Sequence, residues 1–199
     1  MVASVDTPGA HALRLRPAVR ADVPGINALI RTSALGLCTA TYQLEQVEAA
    51  LRGAFGVDTQ LIDDGTYFVV EDGAAAVGAP GNGAVLAGCG GWSYRSTLFG
   101  GDARPERDPA QLDPARDAAR IRAFFVHPGY ARLGIASRLL EECESRARER
   151  GFRRLALMGT LSGVPFYKAR GYLPEAQVVY PMGEGLGIEF VPMNKSLEA

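Results

Sequence analysis

The residues best placed for chemistry are Arg132-Leu133-Gly134-Ile135-Ala136, which lie between a strand-like run and an apolar-periodic stretch. Upstream, Ile121 to Val126 carries two aromatics and a β-branched end, the composition of a buried strand. Pro128 and Gly129 stop that strand, since proline cannot donate to a ladder and both residues favour turns. Downstream, Ile135, Leu139, Cys143 and Ala147 recur at the spacing of one helix face. A strand, a tight loop of small residues and then a helix leaves unpaired amides at the helix start. With about +0.5 of an elementary charge from the helix dipole, these form a site for a phosphate. Gly134 and Ala136 keep bulk away from those donors, and Arg132 adds fixed positive charge. With Ser137, the stretch reads as a pyrophosphate cradle.

The elements that must position this cradle suit one mixed α/β domain. Leu13 to Arg16 alternates apolar and charged residues like a half-buried strand, behind a poorly ordered lead-in at 1–12. Asp22 and Pro24 open a helix reaching about Ser33, and Leu44, Val47 and Leu51 mark a second over roughly 44–55. Thr66 to Val70 and Ala84 to Ser93 read as strands joined by a hairpin loop at 74–83. Ser96 to Asp117 is a long irregular excursion, a solvated loop or a substrate-side flap. After the helix from Ile135, which Gly151 ends, come a strand at 154–158, a helix at 163–170, and strands at 176–180 and 188–193.

Several function classes are excluded. The net charge of −1 gives no electrostatic support for nucleic-acid binding. No run approaches a membrane span and no apolar leader opens the chain, so the expected compartment is the cytoplasm. Three cysteines without CxxC spacing and only two histidines argue against a disulfide framework and against a metal site. The glycines at 88, 90 and 91 do not complete GxGxxG and there is no Walker sequence, so they read as room for close backbone approach or a bulge.

The run from Val126 to Leu140 resembles the acetyl-CoA motif of the GNAT acyltransferase superfamily, written Gln/Arg-x-x-Gly-x-Gly/Ala. Gly134 and Ala136 fill its last two places; the first falls on Ala131, with Arg132 one position later. Gly163-Val-Pro-Phe-Tyr-Lys-Ala-Arg-Gly-Tyr172 resembles a second family segment, an aromatic-Tyr pair opening a short helix. The order of elements from Leu13 to Leu197 is similar too. The resemblance implies an α/β (α+β mixed) GNAT-like fold: a mostly antiparallel twisted sheet of about six to seven strands flanked by about four helices. It implies N-acetyl transfer from acetyl-CoA to a primary amine, by direct attack through a tetrahedral intermediate and without metal.

By the same resemblance Phe124, Phe125 and Val126 offer main-chain groups to the pantetheine arm in a splay between the central strand and the strand at 154–158. Arg132, Leu133, Gly134, Ile135, Ala136 and Ser137 hold the diphosphate, and Thr160 stands where relatives have a CoA-contacting asparagine. Tyr167 is the acid for the departing thiolate; a phenol of pKa about 10 is protonated at neutral pH. The Val126 N–H would meet the oxyanion. Where relatives carry a base on the central strand, this chain has Arg120 and Arg122, which bind an acceptor carboxylate or phosphate, or else pair with Asp117 or another loop acid. Glu48, Asp63, Asp117 and His127 stay open as bases, as does proton loss through water. Cys89 and Cys143 rank low as nucleophiles. A CoA-binding sensor or interaction module that lost turnover is the alternative, and a homodimer is an open assembly state.

Overall fold

The computed structural model describes residues 11–74, 85–104, 107–183 and 185–197; residues 1–10 of the expected lead-in and 75–83 of the expected hairpin loop lie outside these. The strands are β1 (Leu13–Pro17), β2 (Tyr67–Asp72), β3 (Val85–Ser93), β4 (Ala119–Val126), β5 (Arg154–Thr160), β6 (Leu173–Pro174), β7 (Val178–Gly183) and β8 (Leu186–Ser196). The helices are α1 (Val23–Leu37), α2 (Leu44–Ala50), α3 (Thr59–Asp63), α4 (Ile135–Glu149) and α5 (Val164–Lys168). The sheet runs β1-β2-β3-β4-β5-β8-β6, with β7 also beside β8. Its described pairings are antiparallel except for β4 with β5.

Alternation along the strands loads both faces. Val69 and Cys89 point to the side of α1 and α2, where they join Ile26, Leu29 and Ile30. Val70 and Ile121 point to the other side and pack with Leu139 and Cys143 of α4. Gly88 explains how close α4 lies: a Cβ there would stand 2.5 Å from Ile135 Cγ2. Gly88 thus lowers the start of α4 onto the sheet beside the end of β4, while Gly90 and Gly91 make room for Phe124 and Tyr67. The far end of α4 closes as a Schellman motif, with Gly151 at φ +92° and Phe152 N–H donating to Ala147 O at 3.0 Å.

Two strand and helix counts exceed the expectation because β6 has two residues and α3 five, too short for a periodic signature. Helix α1 continues to Leu37, whereas α2 stops at Ala50 and gives way to turns. Glu144 differs from its expected place on a solvated face. It is 9% exposed, with Lys195 Nζ at 2.8 Å and Tyr172 Oη at 3.1 Å. Burying its side chain against β8 satisfies the charge there. The segment after Ser93 is tied down rather than loose: Ser96 N–H donates to Ala110 O, Leu112 N–H to Tyr94 O, and Arg95 grips Asp64 through two bonds of 2.6 and 2.7 Å.

Candidate active site

The parallel strands β4 and β5 pair only through Ala119↔Leu155 and Arg120↔Ala156 and then separate. The cause lies in β4. Its register with β3 shifts between Cys89 and Gly91, and Ala123 takes φ +53°, a β-bulge that bends the strand. Beyond Arg120, β4 has no pairing partner on the β5 side. A cleft of about 200 Å³ opens there, passing from the α4 side of the sheet to the α1 side. Phe124, Phe125, Val126, Ala136, Thr160 and Tyr167 all line it, although they come from four separate elements.

Tyr167, on α5, is 8% exposed, with its ring edge-on to Phe124 at 6.4 Å and Tyr172 at 5.6 Å. Its hydroxyl takes no hydrogen bond from the described residues, and it borders the cleft. Burial, helped by the nearby Cys143, pushes its pKa well above the usual phenol value. The group therefore stays protonated through the neutral and mildly alkaline range. Thr160 Oγ1 is engaged locally, accepting Gly163 N–H at 3.2 Å and sharing a hydrogen with Ser162 Oγ at 3.2 Å.

The expected cradle stands at one end of the cleft. After the single turn Pro128–Tyr130, Arg132 (φ +69°) and Gly134 (φ +77°) are both left-handed, and Gly134 caps α4. Two left-handed residues this close turn the chain sharply into the helix. The first-turn amides of α4 have no intrahelical acceptor. An added Cβ at Gly134 would meet nothing within 4 Å, so the space before the helix is open. Arg132, Leu133 and Gly134 are exposed, whereas the Ile135 side chain is 1% exposed in the core and only its amide faces outward chemistry. Arg170 hydrogen-bonds Ser137 Oγ, adding a second cation at this mouth that sequence reasoning missed.

The two strand arginines are not alike. Arg122 is 2% exposed and turned onto Asp58 at 2.8 Å, with Thr97 O at 2.6 Å and Gly100 O at 2.7 Å completing its shell. Its partner acid is thus Asp58, outside the acids weighed by name. Arg120 is half-buried near Asp117, its Nε has no hydrogen bond, and it does not border the cleft. Of the residues weighed as bases, Glu48 is exposed on α2, Asp63 is bound to Arg20, Asp117 accepts Asp113 N–H, and His127 Nδ1 accepts Gly129 N–H at 3.1 Å. None of them borders the cleft; its titratable lining among the described residues is Cys38, Arg122 and Tyr167. Burial pushes the thiols up, Cys89 to about 12, which holds them neutral.

Ser33 of α1 is another residue the sequence reading missed. It is 4% exposed, borders the cleft, and its Oγ accepts the Val126 N–H at 3.2 Å. The signal was available: a serine inside the stripe Ile26, Leu29, Ile30, Ala34 is a polar group that needs a buried partner.

A family model described as Acetyltransferase (GNAT) family matches residues 39–172, more than half of the 199-residue chain. The chain belongs to the GNAT acetyltransferase family. As a GNAT acetyltransferase it is an enzyme of acyl transfer from acetyl-CoA. Comparison with curated proteins returns no match. Among solved structures, a GCN5-related N-acetyltransferase from Rhodopseudomonas palustris is 19% identical, with TM-score 0.63 over 96% of this chain and 100% of that one. The PaiA N-acetyltransferase from Thermoplasma acidophilum, in complex with coenzyme A, is 14% identical with TM-score 0.59, over 93% and 99% of the two chains. A ribosomal-protein-alanine N-acetyltransferase from Brucella melitensis is 19% identical with TM-score 0.57, over 92% and 99%. At these identities the likeness concerns the GNAT fold. No helix among the described residues is long and apolar enough to cross a membrane, and no group of described side chains is arranged to hold a metal ion.

Proposed function

We propose that this GNAT protein is a cytoplasmic N-acetyltransferase whose residues 13–199 form one catalytic domain, and that it transfers acetyl from acetyl-CoA to a primary amine. The observation that carries the reading is the cleft between β4 and β5, with a Tyr167 hydroxyl on its wall that has no hydrogen-bond partner among the described residues and an open helix start at its end. The diphosphate rests on the amides of 132–137, with Arg132 and Arg170 beside it. The pantetheine arm lies along Phe124–Val126, using backbone groups that β5 leaves unpaired.

In the step, the neutral amine's lone pair forms the N–C bond and the thioester carbonyl becomes a tetrahedral oxyanion. The C–S bond then breaks, its electron pair stays on sulfur, and the Tyr167 proton follows. The proton released from nitrogen leaves through water, restoring the phenol by exchange. The Val126 N–H meets the oxyanion only when Ser33 yields it; otherwise Ser33, whose own O–H is unspent, donates in its place. No base is required in contact with the amine if it enters already deprotonated.

Coenzyme A thiol release, followed with acetyl-CoA and a mixed amine panel, is the test. Release that depends on an amine is the expected result. The cleft lacks a carboxylate among its described lining residues, which favours a second reading, a CoA-binding sensor. Tight CoA binding with no amine-dependent release would select that reading.

A further inference from the structure

The part of the cleft on the α1 and α2 side has a chemistry of its own. Its walls are Leu37, Ala54, Phe55, Phe99, Phe125 and Phe190. Four of these are rings packed on each other: Phe55 edge-on to Phe125 at 5.8 Å and to Phe190 at 6.2 Å, and Phe99 tilted on Phe190 at 5.5 Å. The polar groups that reach this side bring no uncompensated charge. Ser33 Oγ accepts Val126 N–H, the Cys38 thiol sits 3.8 Å from Ser162 Oγ, and Arg122 is neutralised by Asp58 and two carbonyls. No aspartate, glutamate or histidine is among the described lining residues.

A second charge on an acceptor, whether the further ammonium of a polyamine or the carboxylate of an amino acid, would enter this space without a counter-charge and lose its water. An aryl or alkyl group would instead gain ring contacts and leave water. We propose that the acceptor is a small primary amine borne on an uncharged aryl or alkyl group, which occupies the Phe55, Phe99, Phe125 and Phe190 pocket while its nitrogen points to the thioester. This rests on the acetyltransferase reading and names its acceptor class. Phe99 is the specificity-determining wall. It lies on the loop that Arg122 clamps through Thr97 O and Gly100 O, and the Arg104 guanidinium stacks 4.0 Å above its ring.

The test measures kcat/KM at pH 8.5 for 2-phenylethylamine and hexylamine against spermidine, kanamycin and glutamate, with acetyl-CoA binding measured separately by calorimetry. Phe99→Ser and Phe99→Asp are assayed beside the unaltered protein, their folding checked by circular dichroism. The uncharged-tail amines are expected to exceed the charged ones at least tenfold. Phe99→Ser should lower 2-phenylethylamine kcat/KM at least tenfold with the KM for acetyl-CoA unchanged, and Phe99→Asp should raise spermidine relative to 2-phenylethylamine. Acetyl-CoA binding with charged amines used equally well, or with the charged amines alone acetylated, overturns the acceptor class alone, whereas binding with no amine acetylated selects the sensor reading. Failure of acetyl-CoA to bind overturns instead the reading on which it rests.

Discussion

Tyr167 concentrates the chemical claim in one oxygen atom. Substituting Tyr167→Phe keeps the ring packing against Phe124 and Tyr172 and removes only the hydroxyl proposed as proton donor. Turnover is expected to fall at least tenfold with acetyl-CoA affinity nearly unchanged, measured as a split between kcat and KM. Survival of full activity would remove the acid assignment. The raised pKa of this phenol also fixes a pH profile. Since Tyr167 stays protonated well past neutrality and Cys38 and Arg122 do not act as bases there, kcat/KM should climb with pH toward the acceptor ammonium's own pKa, without an acidic limb from an enzyme carboxylate. A plateau set near pH 5 to 7 and independent of the amine would point to a hidden base. At the other end of the cleft, Gly134→Glu puts bulk and a negative charge where the proposal places the diphosphate. The space there is open, so the stability cost is about 1 to 2 kcal/mol for a left-handed non-glycine, while CoA binding by calorimetry should fall beyond detection.

Between residues and the whole lie the elements that hold the cleft open. The bulge at Ala123 separates β4 from β5, the buried pair Arg122–Asp58 fastens the start of α3 to β4, and Arg122 holds the loop after Ser93 through Thr97 O and Gly100 O. Both partners are 2% exposed, but Asp58 also pairs with Arg107, so deleting Asp58 strands the Arg122 charge whereas deleting Arg122 leaves Asp58 paired. Asp58→Asn should cost about 3–5 kcal/mol in urea unfolding, and Arg122→Met less, because Arg107 still meets the Asp58 carboxylate. Replacing both together should cost less than the sum, because neither charge is then stranded. This geometry was out of reach from sequence for a physical reason. Arg122 and Asp58 are 64 positions apart, and nothing local in either strand or loop announces their contact. The turn into α4 was legible because all its determinants, from Pro128 to Leu139, are neighbours along the chain. The short helix carrying Tyr167 was legible from its opening segment, whereas Ser33, Arg170 and Phe99 reach the cleft or its mouth only once distant elements pack. The residues α3 and β6 contribute were too few to show a period.

At the scale of the whole molecule, one sheet with a buried cluster on each face carries a site that crosses it where two strands part. Its acid stability depends on ties between distant segments, of which Asp72 at the end of β2 is the clearest. The hydrogen bond from His11 holds its carboxyl at about 2, against an ordinary 3.8, and burial opposes this; Ala74 N–H, Tyr130 Oη and Ala12 N–H assist. A depressed carboxylate adds stability above the unfolded value, and that part is lost as pH falls through the folded one. Stability followed by thermal unfolding should therefore hold to about pH 4 and then drop between 3.8 and about 2, a drop that Asp72→Asn reduces. A flat response across that window would dissociate Asp72 from the fold's acid limit. Tyr130 joins this tie directly to the turn before the cradle, so the same substitution should also weaken CoA binding modestly.

The most direct measurement is a crystal structure of the protein with coenzyme A. The diphosphate should lie on the amides of residues 132–137, the pantetheine arm between β4 and β5, and the sulfur within hydrogen-bond reach of Tyr167 Oη. Coenzyme A bound outside that cleft, or a sulfur turned away from Tyr167 with the helix start vacant, would contradict the account.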